Sequence, residues 1–472
     1  MTNDIMLLMP LIIVGLGGII VMIASAYEKF TIEVAAQSTA AILAIAFLTQ
    51  LSNSISGNVA VFSETFNSIL VVSTFSKAAG LIILASGIFT VLSSVAYFKE
   101  NRFCTSEYYC LVLFAVTGML MLTMSHELIT AFIALEIMSL AVYVLVGYNR
   151  DNVISTEAVL KYLVLGAFAG AFLVMGVAFI FGATTSTNFA VIGQYIAANG
   201  FMQTPLLIGG SFFVLVALLF KAAAFPFHAW VTDVYDGAPI PVTGFMATAL
   251  KTAIFAVFAN FLVVDDGMHA GWITYLFYIS IFTMFVGNLI AIGQQSLKRM
   301  LAASGIVHTG YLLIALVAIS SQDFSGSVIA FYLAAYAAAT LGIFAALSYL
   351  SGADEKRKTF DDFKGLAKVR PYSAAAISIF LLSMAGIPPT AGFMGKFYII
   401  TSAISAGHVA LAVLGIVSSI ISMWYYLRLI ISMYFHEAEE SFSDILPSRL
   451  APTCTFVLVF CVFAISLYPL IV

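Results

Sequence analysis

The feature that most restricts this chain is a nearly unbroken apolar run of about twenty residues, repeated from end to end. IMLLMPLIIVGLGGIIVMIAS, residues 5–25, is the first example. About twenty helical residues span a hydrocarbon core of about 30 Å, whereas the strands of a membrane barrel alternate apolar and polar side chains. A helical membrane bundle follows. Charged residues make up 9% of the chain and apolar residues 62%, against about 25% charged in soluble domains. A water-soluble enzyme, a nucleic-acid binder and a disordered chain are excluded together.

The runs occupy residues 5–25, 33–51, 75–97, 108–125, 127–147, 157–182, 205–228, 239–263, 272–294, 299–319, 325–350, 371–406, 408–434 and 450–471. They predict an all-α polytopic protein of fourteen transmembrane helices, the twelfth interrupted, with the fourth and fifth parted at Ser125-His126-Glu127. Thirteen of the nineteen basic residues fall in connections after odd-numbered helices: Lys29, Lys99, Arg102, Arg150, Lys298, Arg299, Lys356, Arg357, Lys358, Lys364, Lys368, Arg370 and Arg449. By the positive-inside rule those connections face the cytoplasm and both termini the opposite side. The first helix lacks a basic n-region, so it reads as a retained span rather than a cleaved signal. The charged stretch Ser351–Pro371 is either a topology anchor or a docking segment, and 52–74 and 183–204 read as outward loops.

Cys104, Cys110, Cys454 and Cys461 lack metal-like or redox-like spacing and read as buried small apolar residues. No dinucleotide glycine fingerprint or phosphate loop is present. No metal or cofactor site is expected on this chain.

Apart from Lys77 at the mouth of the third helix, five basic residues remain in or at the edges of spans, Lys161, Lys221, Lys251, Lys396 and Arg428, and one carboxylate, Glu136, sits deep. A central charge costs roughly 2.5–3.5 kcal/mol on insertion scales, so three lysines oppose insertion by about 8–10 kcal/mol. By helical rise, Glu136 lies about 15 Å and Lys251 about 18 Å into their spans, and Lys396 about 18 Å from its far edge. Lys221 lies about 24 Å along, nearer the cytoplasm unless its helix breaks. Lys161 and Arg428 are close enough to span ends to snorkel.

Two lysine spans contain helix breakers, Pro226 in FKAAAFPFHAW and Pro388-Pro389 in AGIPPTAGFMGKF. Interrupted helices carrying ionisable groups build midplane ion sites, and a packing kink with an incidental charge is the alternative. Burial disfavours a lysine's charged form and a nearby carboxylate favours it, so proton transfer is the available chemistry. His308 in VHTGYLL is either a hydrogen-bonded core residue or part of a hydrated relay beside Ser304, Thr309 and Tyr311. His228 reads as structural or mouth-lining, Asp233 and Asp236 as loop acids capping the next helix, and LGAFAGAF as a close-packing surface.

FKAAAFPFHAWVTDVYDGAPIPVTGFMATALKTAIF, LKRMLAASGIVHTGYLL and LLSMAGIPPTAGFMGKFYII together resemble the antiporter-like membrane subunits of respiratory complex I, and most closely their subunit N branch, over roughly residues 105–435. The resemblance implies two inverted five-helix repeats, 105–263 and 264–435, between a three-helix segment (1–104) and a C-terminal helix (436–472). It also implies proton-transfer roles for Glu136, Lys221, Lys251, His308 and Lys396. NADH, flavin, iron–sulfur clusters and quinone would reside on other subunits, and the partners would be membrane-arm subunits, including subunit M and the small ones, with lipids and protons but no nucleic acid. Lysine at 396, where subunit M relatives carry glutamate, and the absence of a long lateral helix favour subunit N. Length and composition favour a bacterial plasma membrane over an organelle. A monovalent cation/proton antiporter of the Mrp type and a spacer that transmits coupling without releasing protons are the rival readings. One asymmetry stands out: Lys221 precedes its proline and Lys396 follows its own.

Overall fold

The computed structural model describes residues 2–467 except 28, 57–59, 62–68, 102, 320–325, 439–441, 443–444 and 446–447. Arg102 and the end of the last expected span therefore lie outside the described residues. The helices of the first half are α1 (Thr2–Ser25), α2 (Ile32–Ile55), α3 (Thr74–Glu100), α4 (Glu107–Met124), α5 (Leu128–Val146), α6 (Val153–Thr184), α7 (Phe189–Asn199), α8 (Pro205–Ala222), α9 (Val231–Gly237), α10 (Ile240–Phe245) and α11 (Lys251–Leu262). The second half has α12 (Asp266–Ile292), α13 (Leu297–Val317), α14 (Ser327–Leu350), α15 (Leu366–Val369), α16 (Pro371–Ala385), α17 (Ala391–Ser405), α18 (Val409–Phe435) and α19 (Leu450–Leu467). Thirteen helices among the described residues are long and apolar enough to cross a membrane, counting Ile240–Leu262 as one. Each expected span coincides with one of them, except the interrupted twelfth, which is α16 and α17 at 15 residues each.

Starts and stops follow local chemistry. Ser73 and Ser76 form a reciprocal capping box at α3, Asn152, Asp265 and Ser296 cap α6, α12 and α13, and Pro205 and Pro371 occupy the first turns of α8 and α16. Two expectations change. The segment 183–204 contains a helix, α7, started by the Asn188 side chain. The seventh span does not continue to 228, because α8 ends at Ala222 with Ala223 in the left-handed region.

Ile240–Leu262 and α13 are wholly buried across their apolar windows and form the centre of the bundle, while α2, α6 and α12 expose much of theirs. Close helix approach uses glycine. A Cβ on Gly176 of α6 would meet the Gly210 carbonyl of α8 at 2.7 Å, and one on Gly210 would meet the Gly176 carbonyl at 2.9 Å.

The odd-numbered connections gather at one end of the molecule. Lys99 pairs with Glu33, Asn101 Oδ1 accepts from Asp354 N, the Ser296 hydroxyl donates to Asp236, Leu297 N donates to Lys358 O, and Lys368 pairs with Glu437. Arg428 reaches this end through the carbonyl of Gln294 and the side chain of Gln295. Asp233 and Asp236 do not cap a helix, which corrects the expectation from sequence. Asp233 instead binds Lys161 at 2.6 Å and Arg299 at 2.5 Å, because α6 and α13 bring those cations to α9.

The stretch after α14 is bound into this end. Glu355 accepts from the Tyr97 hydroxyl at 2.6 Å, Ile240 N at 3.1 Å and Lys298 Nζ at 2.9 Å. Lys298 also donates to Ala238 O at 2.7 Å. One carboxylate thus ties α3, the start of α10 and the start of α13 together, a packing role the sequence alone left between anchor and dock.

Candidate functional site

The breaks in the two interrupted spans are built alike. Ala223 (φ 63°) and Gly386 (φ 84°) are left-handed caps, and the next amides close the same turn, Ala224 N to Leu219 O and Ile387 N to Leu382 O. Pro226 and Pro389 each stand three residues after the cap. The lysines differ in origin but converge in place. Lys221 sits in the last turn of α8. Lys396 rises from α17 and bends back so that its ammonium donates to Ala385 O, the last residue of α16, at 2.9 Å. Both charges therefore stand at the negative end of a helix dipole. The sequence asymmetry is resolved by the reach of one side chain.

Lys221, 3% exposed, donates to the Ser139 hydroxyl at 2.9 Å and the Tyr143 hydroxyl at 3.0 Å. Its ammonium also lies 5.2 Å and 5.7 Å from the ring centres of Tyr143 and Tyr162. Glu136, half-buried on α5, makes no ion pair with it among the described residues. Glycines of LGAFAGAF make the room. A Cβ on Gly166 would stand 2.0 Å from the Tyr143 hydroxyl, and one on Gly170 would stand 3.3 Å from Glu136 Oε1.

Lys251, at the start of α11, follows a π-turn over Met246–Leu250. Such turns re-aim a side chain within a helix and occur often at functional sites. Its ammonium donates to Gly305 O at 2.5 Å and lies 5.0 Å from the Tyr336 ring. A Cβ on Gly305 would lie 3.6 Å from that ammonium and 3.4 Å from the Tyr336 hydroxyl, in ordinary contact with both.

One turn later on α13, His308 joins Tyr332 through Nδ1 at 2.6 Å and Tyr426 through Nε2 at 3.3 Å. Tyr426 in turn shares a short hydrogen bond with Ser304. His308 is thus hydrogen-bonded and buried, the partners being hydroxyls able both to give and to take a proton. A cavity of about 10 Å³, the space of one water centre, is lined by His308, Tyr332, Tyr336, Ser383 and Lys396. Lys396 donates to Ser419 at 2.8 Å and lies 5.0 Å from the Tyr311 ring.

No ion pair among the described residues involves Lys221, Lys251 or Lys396. The structure brings the three lysines and His308 to hydroxyls and carbonyls, and Glu136 near the first of them. Sequence reasoning missed Ser139, Tyr143, Tyr332, Tyr336, Tyr426 and Ser419. A weak signal existed in helical spacing: Glu136, Ser139 and Tyr143 recur at i, i+3 and i+7, and Tyr332 and Tyr336 at i and i+4. His228 lies in the first break with its ring stacked on Phe225. The four cysteines are free thiols, three buried and one half-buried.

Residues 125–422 match the family described as NADH:quinone oxidoreductase/Mrp antiporter, TM. The chain is 40% identical over 380 residues to NADH-quinone oxidoreductase subunit N of Trichlorobacter lovleyi, covering 80% of this chain and 78% of that one. Its fold is similar to a chain of respiratory complex I from Thermus thermophilus, with TM-score 0.82, 31% identity, and 98% and 97% of the two chains covered. It is similar in fold alone to a chain of the Mrp complex from Dietzia sp., with TM-score 0.83, 21% identity, and 99% and 94% covered. The chain belongs to the NADH:quinone oxidoreductase/Mrp antiporter family of membrane subunits, on its subunit N branch.

Proposed function

We propose that this chain is a proton-translocating, redox-inactive membrane-arm subunit of an NADH:quinone oxidoreductase. The observation that carries the reading is a set of four buried ionisable side chains, Lys221, Lys251, His308 and Lys396, each 5% exposed or less. They are held by neutral groups rather than by counter-ions. A structural role would favour apolar residues or full pairing, since buried charge opposes insertion. Neutral hydroxyl and carbonyl partners leave each amine free to change protonation without stranding a buried carboxylate.

In this reading α16 and α17 together make the twelfth crossing, which brings the total to fourteen. The repeats are 105–263 and 264–435, and the basic end faces the cytoplasm of a bacterial plasma membrane with both termini opposite. Redox carriers and quinone belong to other subunits, and subunit M and the small membrane subunits are the neighbours. Electron transfer elsewhere alters a neighbour's charge and shifts the balance at Glu136 and Lys221, and protons then move through Lys251 and His308 to Lys396. Lys221→Ala and Glu136→Ala in the assembled complex are expected to lower coupled turnover. Wild-type turnover and pumping in both would overturn the reading. Purification separates the Mrp-type alternative, since a cation antiporter would not travel with flavin and iron–sulfur subunits.

A further inference from the structure

A single turn of α13, residues 305–309, touches all three lysine stations. Gly305 O accepts from Lys251, His308 leads through its tyrosines toward Lys396, and Thr309 points the other way. Its hydroxyl donates to Ala222 O, the last carbonyl of α8, at 2.7 Å, and also lies 3.2 Å from Gly305 O. All three contacts are buried.

A threonine hydroxyl has one proton and a carbonyl oxygen two lone pairs. Gly305 O already receives the helical N–H of Thr309 and the ammonium of Lys251, so the hydroxyl, 3.2 Å away, is outcompeted there while Lys251 is charged. The Thr309 proton then goes to Ala222 O, beside Lys221. When Lys251 gives up its proton, its N–H bond to Gly305 O loses the assistance of the charge, and the hydroxyl can turn back to that oxygen. Ala222 O is then left uncapped at the negative end of α8, where bare carbonyls favour a cation in the last turn, and that cation is Lys221.

We infer that Thr309 is a positioning residue that links the two lysines in opposition, so that loss of the proton from Lys251 favours a proton on Lys221 and the reverse. Charge then passes from one station to the other instead of accumulating on both. The inference rests on the proton-translocating reading above.

The test uses the complete complex in proteoliposomes, comparing protons pumped per NADH oxidised. Thr309→Val keeps the shape and removes the hydroxyl. It is expected to lower that ratio, while uncoupled NADH oxidation persists. Thr309→Ser keeps the hydroxyl and is expected to restore the ratio, a rescue that a purely packing role would not give. If Thr309→Val reduces assembly, Thr309→Ala is read in the same way. A wild-type ratio in the variant lacking the hydroxyl, or a defect in Thr309→Ser equal to that of Thr309→Val, overturns the switch. A wild-type ratio in Lys251→Ala would instead overturn the translocation reading itself, and loss there beside a normal Thr309→Val would overturn the switch alone.

Discussion

Glu355 offers a quantitative test of how the basic end holds the central helices. Its side chain and that of Lys298 are 11% and 4% exposed, and breaking one member of a buried pair costs about 3–5 kcal/mol because the survivor stays buried. The two survivors are not equal. After Glu355→Ala, Lys298 keeps the acceptor Ala238 O, while the Tyr97 hydroxyl and Ile240 N lose theirs. After Lys298→Met, Glu355 still accepts from Tyr97 and Ile240. Glu355→Ala is therefore expected near the upper limit, about 5 kcal/mol, and Lys298→Met near the lower, about 3 kcal/mol. The double variant should cost less than the sum by about 1–3 kcal/mol, as coupled neighbours do. The assay is the temperature at which half of the complex remains intact on native gels after heating of membranes. Strict additivity, or a greater loss from Lys298→Met, would refute the reasoning.

Removing a hydroxyl from the His308 pair should follow bond length. Tyr332→Phe deletes the 2.6 Å contact and is expected to lower proton pumping about fivefold, with Tyr426→Phe, at 3.3 Å, less harmful, as measured by dye quenching against NADH oxidation. Gly386→Ala places a Cβ at φ 84° and 2.9 Å from Lys396 Cδ. It is expected to cost about 1–3 kcal/mol and to lower coupled turnover more than uncoupled oxidation. Gly166→Ala, whose Cβ would meet the Tyr143 hydroxyl, should displace that hydroxyl from Lys221. Its pumping should therefore fall toward that of Tyr143→Phe, checked in the same vesicles.

The crossings were legible because insertion into lipid demands long apolar runs, and that demand acts on each segment separately. The buried lysines were legible for the converse reason: Lys221, Lys251 and Lys396 violate the rule at a cost too large to be incidental. Their partners carried no such mark. Serine and tyrosine are inexpensive in a membrane helix, so Ser139, Tyr143 and Ser419 became visible only when α5 met α8 and α17 met α18. The π-turn before Lys251 leaves no compositional trace in MATAL. Asp233 read as a cap because its neighbours in sequence suggested one, whereas its partners Lys161 and Arg299 arrive from helices distant in the chain.

The central claim is that buried amines exchange protons across the interior, and Lys251 is its narrowest point, since it lies on a wholly buried helix between the two breaks. The most direct measurement is the number of protons pumped per NADH oxidised by the complete complex carrying Lys251→Ala, with assembly checked on native gels. A clear fall in that number with the complex intact is expected. An undiminished number would contradict proton passage through this line.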